Sequence, residues 1–216
     1  ILQIILERLK PKYNIVLATT DKIDDDSLCE IARKIDVPFY RGNEHNVLDR
    51  FIKASKYFNI KTIVRVCADN PFLSLDFIDN LVSKYKGEDY CSFCFDNNLP
   101  TILGHLGVFS EITTLDTLIK VSKLTKESIY LEHVTNYIYN NPDIFNVKLH
   151  SLKPLINNYQ GIRLTVDTHN DFLVAKDLFL KFKEDNILDI QKMIDFIKSN
   201  NVFLKSMKLE IKNNSK

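Results

Sequence analysis

Short apolar runs of strand length alternate with segments of helical apolar spacing through the first 85 residues, and this alternation constrains the fold more than any other feature. NIVLATT (14–20), VPFY (37–40) and TIVRVCA (62–68) read as strands. Between and after them, a helix with a Ser27/Glu30 capping box through Ile35, a second over 47–58 and a third capped by Ser74 up to about Tyr85 are expected. Strands and helices in that order build a mostly parallel sheet with helices on both faces. The crossovers are right-handed and bring the carboxyl ends of the strands to one edge. Ligands of open α/β sheets bind along that edge, so the residues that end the strands are the first candidates for function.

Later segments are less regular. Strand-like runs fall at 89–95, 104–110, 146–152 and 163–166, and helical ones at 114–124, 128–139, 172–183 and 189–199. No internal repeat or linker interrupts them, so residues 1–212 read as one domain and 213–216 as a disordered tail. The chain begins at Ile1, and ILQIILERLK already has helical spacing without a cap. It reads as the middle of an element whose upstream neighbour lies outside this sequence.

Composition enters chiefly by exclusion. A formal net charge of +1 supplies no bulk attraction to nucleic acid or to an anionic membrane, so any anion site must be built from local arginines and backbone amides. No apolar run approaches membrane-spanning length and no signal peptide is evident, which makes the cytoplasm the expected location. Four cysteines include the pair Cys91 and Cys94. In a strand, positions three apart face opposite ways, so the expectation is buried structural thiols with no zinc site.

Three strand ends deliver polar groups to one edge: Ala18-Thr19-Thr20-Asp21, Arg41-Gly42 and Asp69-Asn70-Pro71. Pro71 cannot continue a ladder, so the chain leaves the sheet with Asp69 at the strand's last position. Arg65 lies inside the same apolar strand, where a cation must be paired or must hold an anion. Either a buried salt bridge to Asp69 or Asp49, or contact with a phosphate, satisfies it. Asp167, in RLTVDTHND, closes a strand just before a helix whose cap reads as Thr168 with Asp171. Two strand-end aspartates form a plausible Mg²⁺ pair, since magnesium takes one or two protein carboxylates and completes its shell with water and substrate phosphates. His169 reads as a turn residue, and His133, inside YLEHVTNYIY, as either a core histidine or a substrate contact.

These residues also carry a resemblance. RGNEHNVLDR (41–50), VRVCADNPFL (64–73), EHVTNYIY (132–139) and RLTVDTHND (163–171) occur in the order and form typical of the cytidylyltransferase family of spore-coat polysaccharide synthesis and acylneuraminate activation. The resemblance implies a three-layer α/β, Rossmann-like fold of the nucleotide-diphospho-sugar transferase type. It implies transfer of CMP from CTP to a sugar hydroxyl with release of diphosphate, for surface polysaccharide or glycan synthesis, with an acidic or modified sugar as acceptor. By position, Asp69 and Asp167 would hold Mg²⁺, with Arg65 in the catalytic set. Ala18, Thr19, Arg41 and Gly42 would lie along the nucleotide, and Asn70 and His133 would meet the sugar. A strand and a glycine-rich phosphate loop are expected upstream of Ile1. Gly107 stands where many members carry an acidic residue, which implies a different sugar pocket. A homodimer is expected, with the tyrosine-rich 128–139 segment approaching the partner. A glycosyltransferase of the same fold, or an interaction domain without catalysis, are the alternatives.

Overall fold

The computed structural model describes residues 1–153, 155–182 and 188–214. Two sheets organise the chain. In the first, β1 (Leu17–Thr20) and β2 (Phe39–Gly42) run parallel, in register from Leu17 opposite Phe39 to Thr20 opposite Gly42. Helices α1 (Leu2–Leu9) and α2 (Asp26–Ile35) bury Leu2, Leu6, Ala32 and Val37 against it. The other face of α1 places Ile5 and Leu9 on Leu73 and Ile78, which ties this unit to the rest of the molecule.

The second sheet has the order β3 (Thr62–Arg65), β5 (Glu111–Thr114), β4 (Tyr90–Cys94), β6 (Val147–Ser151). β5 is antiparallel to both its neighbours, whereas β4 and β6 are parallel, so three of the four strands share one direction. The pleat sends alternate residues to opposite faces. Ile63 and Tyr90, both in register with Thr113, join a core with α3 (Val47–Tyr57) and α5 (Leu115–Leu124). Cys91, Phe93 and Ile112 join the other core, with α4 (Leu75–Lys84), α8 (His169–Phe182), α9 (Ile190–Ser199) and α10 (Asn201–Asn213). The result is the expected α/β fold with a helical layer on each face.

Several boundaries depart from the sequence pattern for identifiable reasons. α2 starts at Asp26, with Ser27 inside it and no side-chain cap bond from Asp25. The Asp25 carboxylate is taken instead by Thr19 and by the backbone and hydroxyl of Thr20. Residues 104–110 are not a strand: Gly107 has φ +61, a left-handed conformation that breaks extended pairing. Residues 163–166 also lie outside the sheets, hydrogen-bonding to His105 and Asp69. The 128–139 segment splits into α6 (Ser128–Glu132) and α7 (Asn136–Tyr139), with the break at 133–135. α10, unforeseen, is capped by Asn200 and runs through Asn213, and Asn214 bonds back to Glu210. Residues 215 and 216 of the expected tail, and residue 183 of the expected 172–183 helix, lie outside the described residues.

Candidate active site

The backbone brings together the segments that carry the two aspartates singled out from the sequence. The Val166 amide donates to the Asp69 carbonyl at 3.0 Å, so Asp167 follows directly on a residue bonded to Asp69. On one side, the Asp69-Asn70-Pro71 turn is held by α1: Arg8 donates to the carbonyls of Pro71 (3.3 Å) and Leu73 (2.9 Å). On the other side, the Asp167 carboxylate accepts from Arg163 (2.8 Å) and from the Thr165 hydroxyl (3.0 Å).

Arg163 organises this half of the edge. Its side chain is fully buried, and its Nε and Nη2 grip the two oxygens of Asp171, each at 2.8 Å. Asp171 also accepts the amides of Asp167 and Thr168, while the Thr168 hydroxyl accepts the Asp171 amide. This is the capping box read from the sequence. Burial alone would raise the Asp171 carboxyl, but the Arg163 and backbone hydrogen bonds outweigh it and hold the group below the ordinary carboxylate range. Arg163 Nη1 also lies 2.6 Å from His105 Nδ1. A guanidinium can only donate, so Nδ1 accepts and the imidazole proton sits on Nε2.

The Arg65 expectation needs correction. Its partner is neither Asp69 nor Asp49 but Glu111 on the neighbouring strand, directly opposite it in register, at 2.5 Å. Glu111 is 2% exposed and also accepts hydrogen bonds from the hydroxyls of Tyr90 and Thr135. Burial, with the Glu111 charge behind it, pushes the Tyr90 hydroxyl well above its usual pKa. The guanidinium is committed to this interior network, which removes the motive for reading Arg65 as a phosphate ligand. His133, expected in the core or at the substrate, is an exposed residue at the end of α6. The neighbouring break turns Thr135, not His133, towards Glu111.

The proposed nucleotide edge is built by β1 and β2. Thr19 lies opposite Arg41 and Ala18 opposite Tyr40. Arg41 donates to the Thr20 carbonyl (2.8 Å), the Lys22 carbonyl (2.5 Å) and the Asp26 carboxylate (2.6 Å), so it binds the loop after β1 to the start of α2. Arg50, from the VLDR segment, packs its stem over Gly42: a β-carbon at 42 would stand 3.1 Å from Arg50 Cγ. Arg163 and His105, at the Asp167 turn, were not singled out from the sequence, nor was Glu111 as the partner of Arg65. A signal for Arg163 was present: an arginine opening an apolar run, with aspartates four and eight residues later.

A family model described as Cytidylyltransferase matches residues 1–209. An uncharacterized protein of Methanocaldococcus jannaschii is 39% identical over 203 residues, covering 93% of this chain and 80% of that protein. The spore coat polysaccharide biosynthesis protein SpsF of Bacillus subtilis is 32% identical over 194 residues, covering 88% and 77%. This chain belongs to the cytidylyltransferase family. A solved cytidylyltransferase from Leptospira borgpetersenii superposes with TM-score 0.77 at 25% identity, covering 94% of this chain and 84% of that one. The molybdopterin-guanine dinucleotide biosynthesis protein A of Archaeoglobus fulgidus matches at TM-score 0.52 and 13% identity, a likeness of fold alone. Membership makes this a nucleotidyltransferase, with a Rossmann-like sheet as its scaffold.

Two other expectations can be placed. None of the four cysteines forms a disulfide; Cys29, Cys91 and Cys94 are buried, and burial pushes Cys91 up to about 11. Among the described residues no cluster of three or more histidine, cysteine or acidic side chains could hold a metal, and no helix is long and apolar enough to cross a membrane. The tyrosines of the 128–139 segment have partners within the subunit: Tyr139 packs on Tyr90 at 5.5 Å, and Tyr130 on Tyr137 at 5.0 Å.

Proposed function

We propose that this cytidylyltransferase uses CTP to place CMP on a sugar hydroxyl, releasing diphosphate, as a step in surface polysaccharide synthesis. The Asp69–Val166 backbone hydrogen bond is the observation that carries it, because it joins the turn that follows β3 to the segment that leads into Asp167. The donor set suits magnesium: two hard carboxylates, with coordination positions left to water and phosphate oxygens. Asp69 and Asp167 would hold the ion, which when bound neutralises charge on the phosphates. Arg163 and Thr165 orient Asp167, and Arg8 fixes the turn that presents Asp69. Ala18, Thr19, Arg41 and Gly42, on the paired strands β1 and β2, would line the nucleotide.

The name of the Bacillus relative supports the polysaccharide assignment. We place the reaction in the cytoplasm, where cysteines outside any disulfide are stable. A homodimer through the 128–139 segment stays part of the proposal, now resting on Ile129, which is 50% exposed; a monomeric mass in light scattering would remove it. Calorimetry with CTP, UTP and UDP-sugars, each with Mg²⁺, tests the central reading. CTP is expected to bind at least about tenfold more tightly than the others. Preference for a UDP-sugar would turn the assignment towards glycosyl transfer.

A further inference from the structure

Beside Asp69 lies a small cavity of about 40 Å³, and its lining is chemically one-sided. Asn70, Thr101, Ser110, Glu111 and Thr165 bring oxygens to it, and Ile102 and Phe109 supply apolar wall. No lysine, arginine or histidine is among its described lining residues, whereas Asp69 and Glu111 both are. Two of the side chains are deeply buried and have no hydrogen-bond partner among the described residues: Asn70, 5% exposed, through Oδ1, and Ser110, 2% exposed, through Oγ. The buried Ser92 hydroxyl reaches Thr101 Oγ1 and the Ser110 carbonyl only at 3.5 Å, marginal contacts. Orphaned polar atoms this deep are costly unless a ligand or water completes them.

Gly107 keeps the space open. A β-carbon there would stand 2.8 Å from both Asn70 Oδ1 and Thr165 Cγ2, and its φ of +61 already disfavours a side chain. A side chain at this position cannot be accommodated without moving Asn70 or Thr165.

Resting on the reading of the Asp69 edge as the place of CMP transfer, we infer that this cavity receives an uncharged hydroxymethyl arm of the acceptor sugar. The arm's hydroxyl donates to Asn70 Oδ1 and accepts from Ser110 Oγ, and its methylene lies on Phe109 and Ile102. A carboxylate or phosphate on that arm is excluded. A fully ionised carboxylate or phosphate has no proton to give Asn70 Oδ1, and the Arg65 guanidinium is already spent on Glu111. The volume suits one such group rather than a whole ring.

Matched sugars provide the test: glucose, 6-deoxyglucose and glucuronate, with the galacto and manno counterparts. Binding to the intact protein is measured by ligand-observed NMR, with and without CTP and Mg²⁺. In at least one series the hexose should bind about tenfold more tightly than both its 6-deoxy and its uronate forms. Ser110→Ala should weaken that hexose by up to about tenfold, leaving the 6-deoxy sugar unaffected. A uronate bound as well as its hexose, no series bound at all, or a Ser110→Ala protein with unchanged preference would each overturn the inference. If CTP itself fails to bind while the hexose preference stands, the nucleotide reading falls and the arm assignment survives.

Discussion

Arg65 and Arg163 are both guanidiniums set in apolar sequence, and each is met by acids: Glu111 for one, Asp171 and Asp167 for the other. Their surroundings differ in a way that separates scaffold from site. Around Arg65 the network closes inward, because Glu111 is shared with Tyr90 and Thr135, both buried. Around Arg163 it opens outward. One carboxylate, Asp171, is buried and caps α8, while the other, Asp167, has 36% of its side chain exposed at the edge where Asp69 also lies. A buried arginine therefore says little about phosphate binding until its partners are known, and the exposure of the partner carboxylate is what discriminates.

Breaking the closed network should have the largest effect. Arg65→Met leaves Glu111 as an uncompensated buried charge, and denaturant unfolding should show a loss of about 3–5 kcal/mol. Adding Glu111→Leu should return part of that loss. The recovery stays incomplete because the Tyr90 and Thr135 hydroxyls lose their acceptor. A single variant as stable as the wild type would show that Arg65 is not bound as described.

Asp69→Asn probes the open side and should do the opposite. Stability should change by less than about 1 kcal/mol, while diphosphate release from CTP should fall on the order of 10²- to 10³-fold. Unchanged turnover at saturating CTP would remove Asp69 from the site.

Arg163→Lys lies between these two. An ammonium cannot span Asp171 and Asp167 as the guanidinium fork does, so about 1.5–3 kcal/mol of stability should go. The Mg²⁺ concentration for half-maximal activity should also rise roughly 10- to 100-fold, because Asp167 loses the group that orients it. A stability loss with no change in Mg²⁺ requirement would make Arg163 scaffold like Arg65, and the contrast would collapse.

The same contrast explains which parts of the fold were readable. The turn at Asp69 and the helix start after Asp167 were legible from local grammar, through Pro71 and the Thr168/Asp171 box, but the strands expected to end there were not: β3 stops at Arg65 and residues 163–166 pair with no sheet. Glu111 was not legible either, since its meaning depends on β5 inserting between β3 and β4, a pairing between residues 46 positions apart. Residues 104–110 misled because Leu106, Val108 and Phe109 are buried like a strand's inner face, yet Gly107 turns the chain. The break at 133–135 has the same origin as the Arg65 correction. Val134 fills the core and Thr135 reaches Glu111, so tertiary contacts outweigh the helical periodicity of YLEHVTNYIY.

The smallest expected effect is a difference in how the two networks respond to pH. On the open side, Asp171 has a folded pKa held below its unfolded value near 3.9. Its contribution is therefore complete above that value and is lost as pH falls through the lower, folded one. On the closed side, Tyr90 has a folded pKa raised above its unfolded value near 10. Its contribution is complete below pH 10 and is lost as pH rises towards the folded value. Other carboxylates and tyrosines are shifted the same way, so the informative quantity is the difference between wild type and a single variant. Tyr90→Phe should flatten the decline of stability above pH 10 and leave the acid limb alone, and Asp171→Asn should flatten the decline below pH 4 and leave the alkaline limb alone. Unfolding midpoints across pH 3–11 would show this directly. If either substitution altered both limbs, the two networks would be coupled through the sheet and could not be treated as a separate scaffold and site.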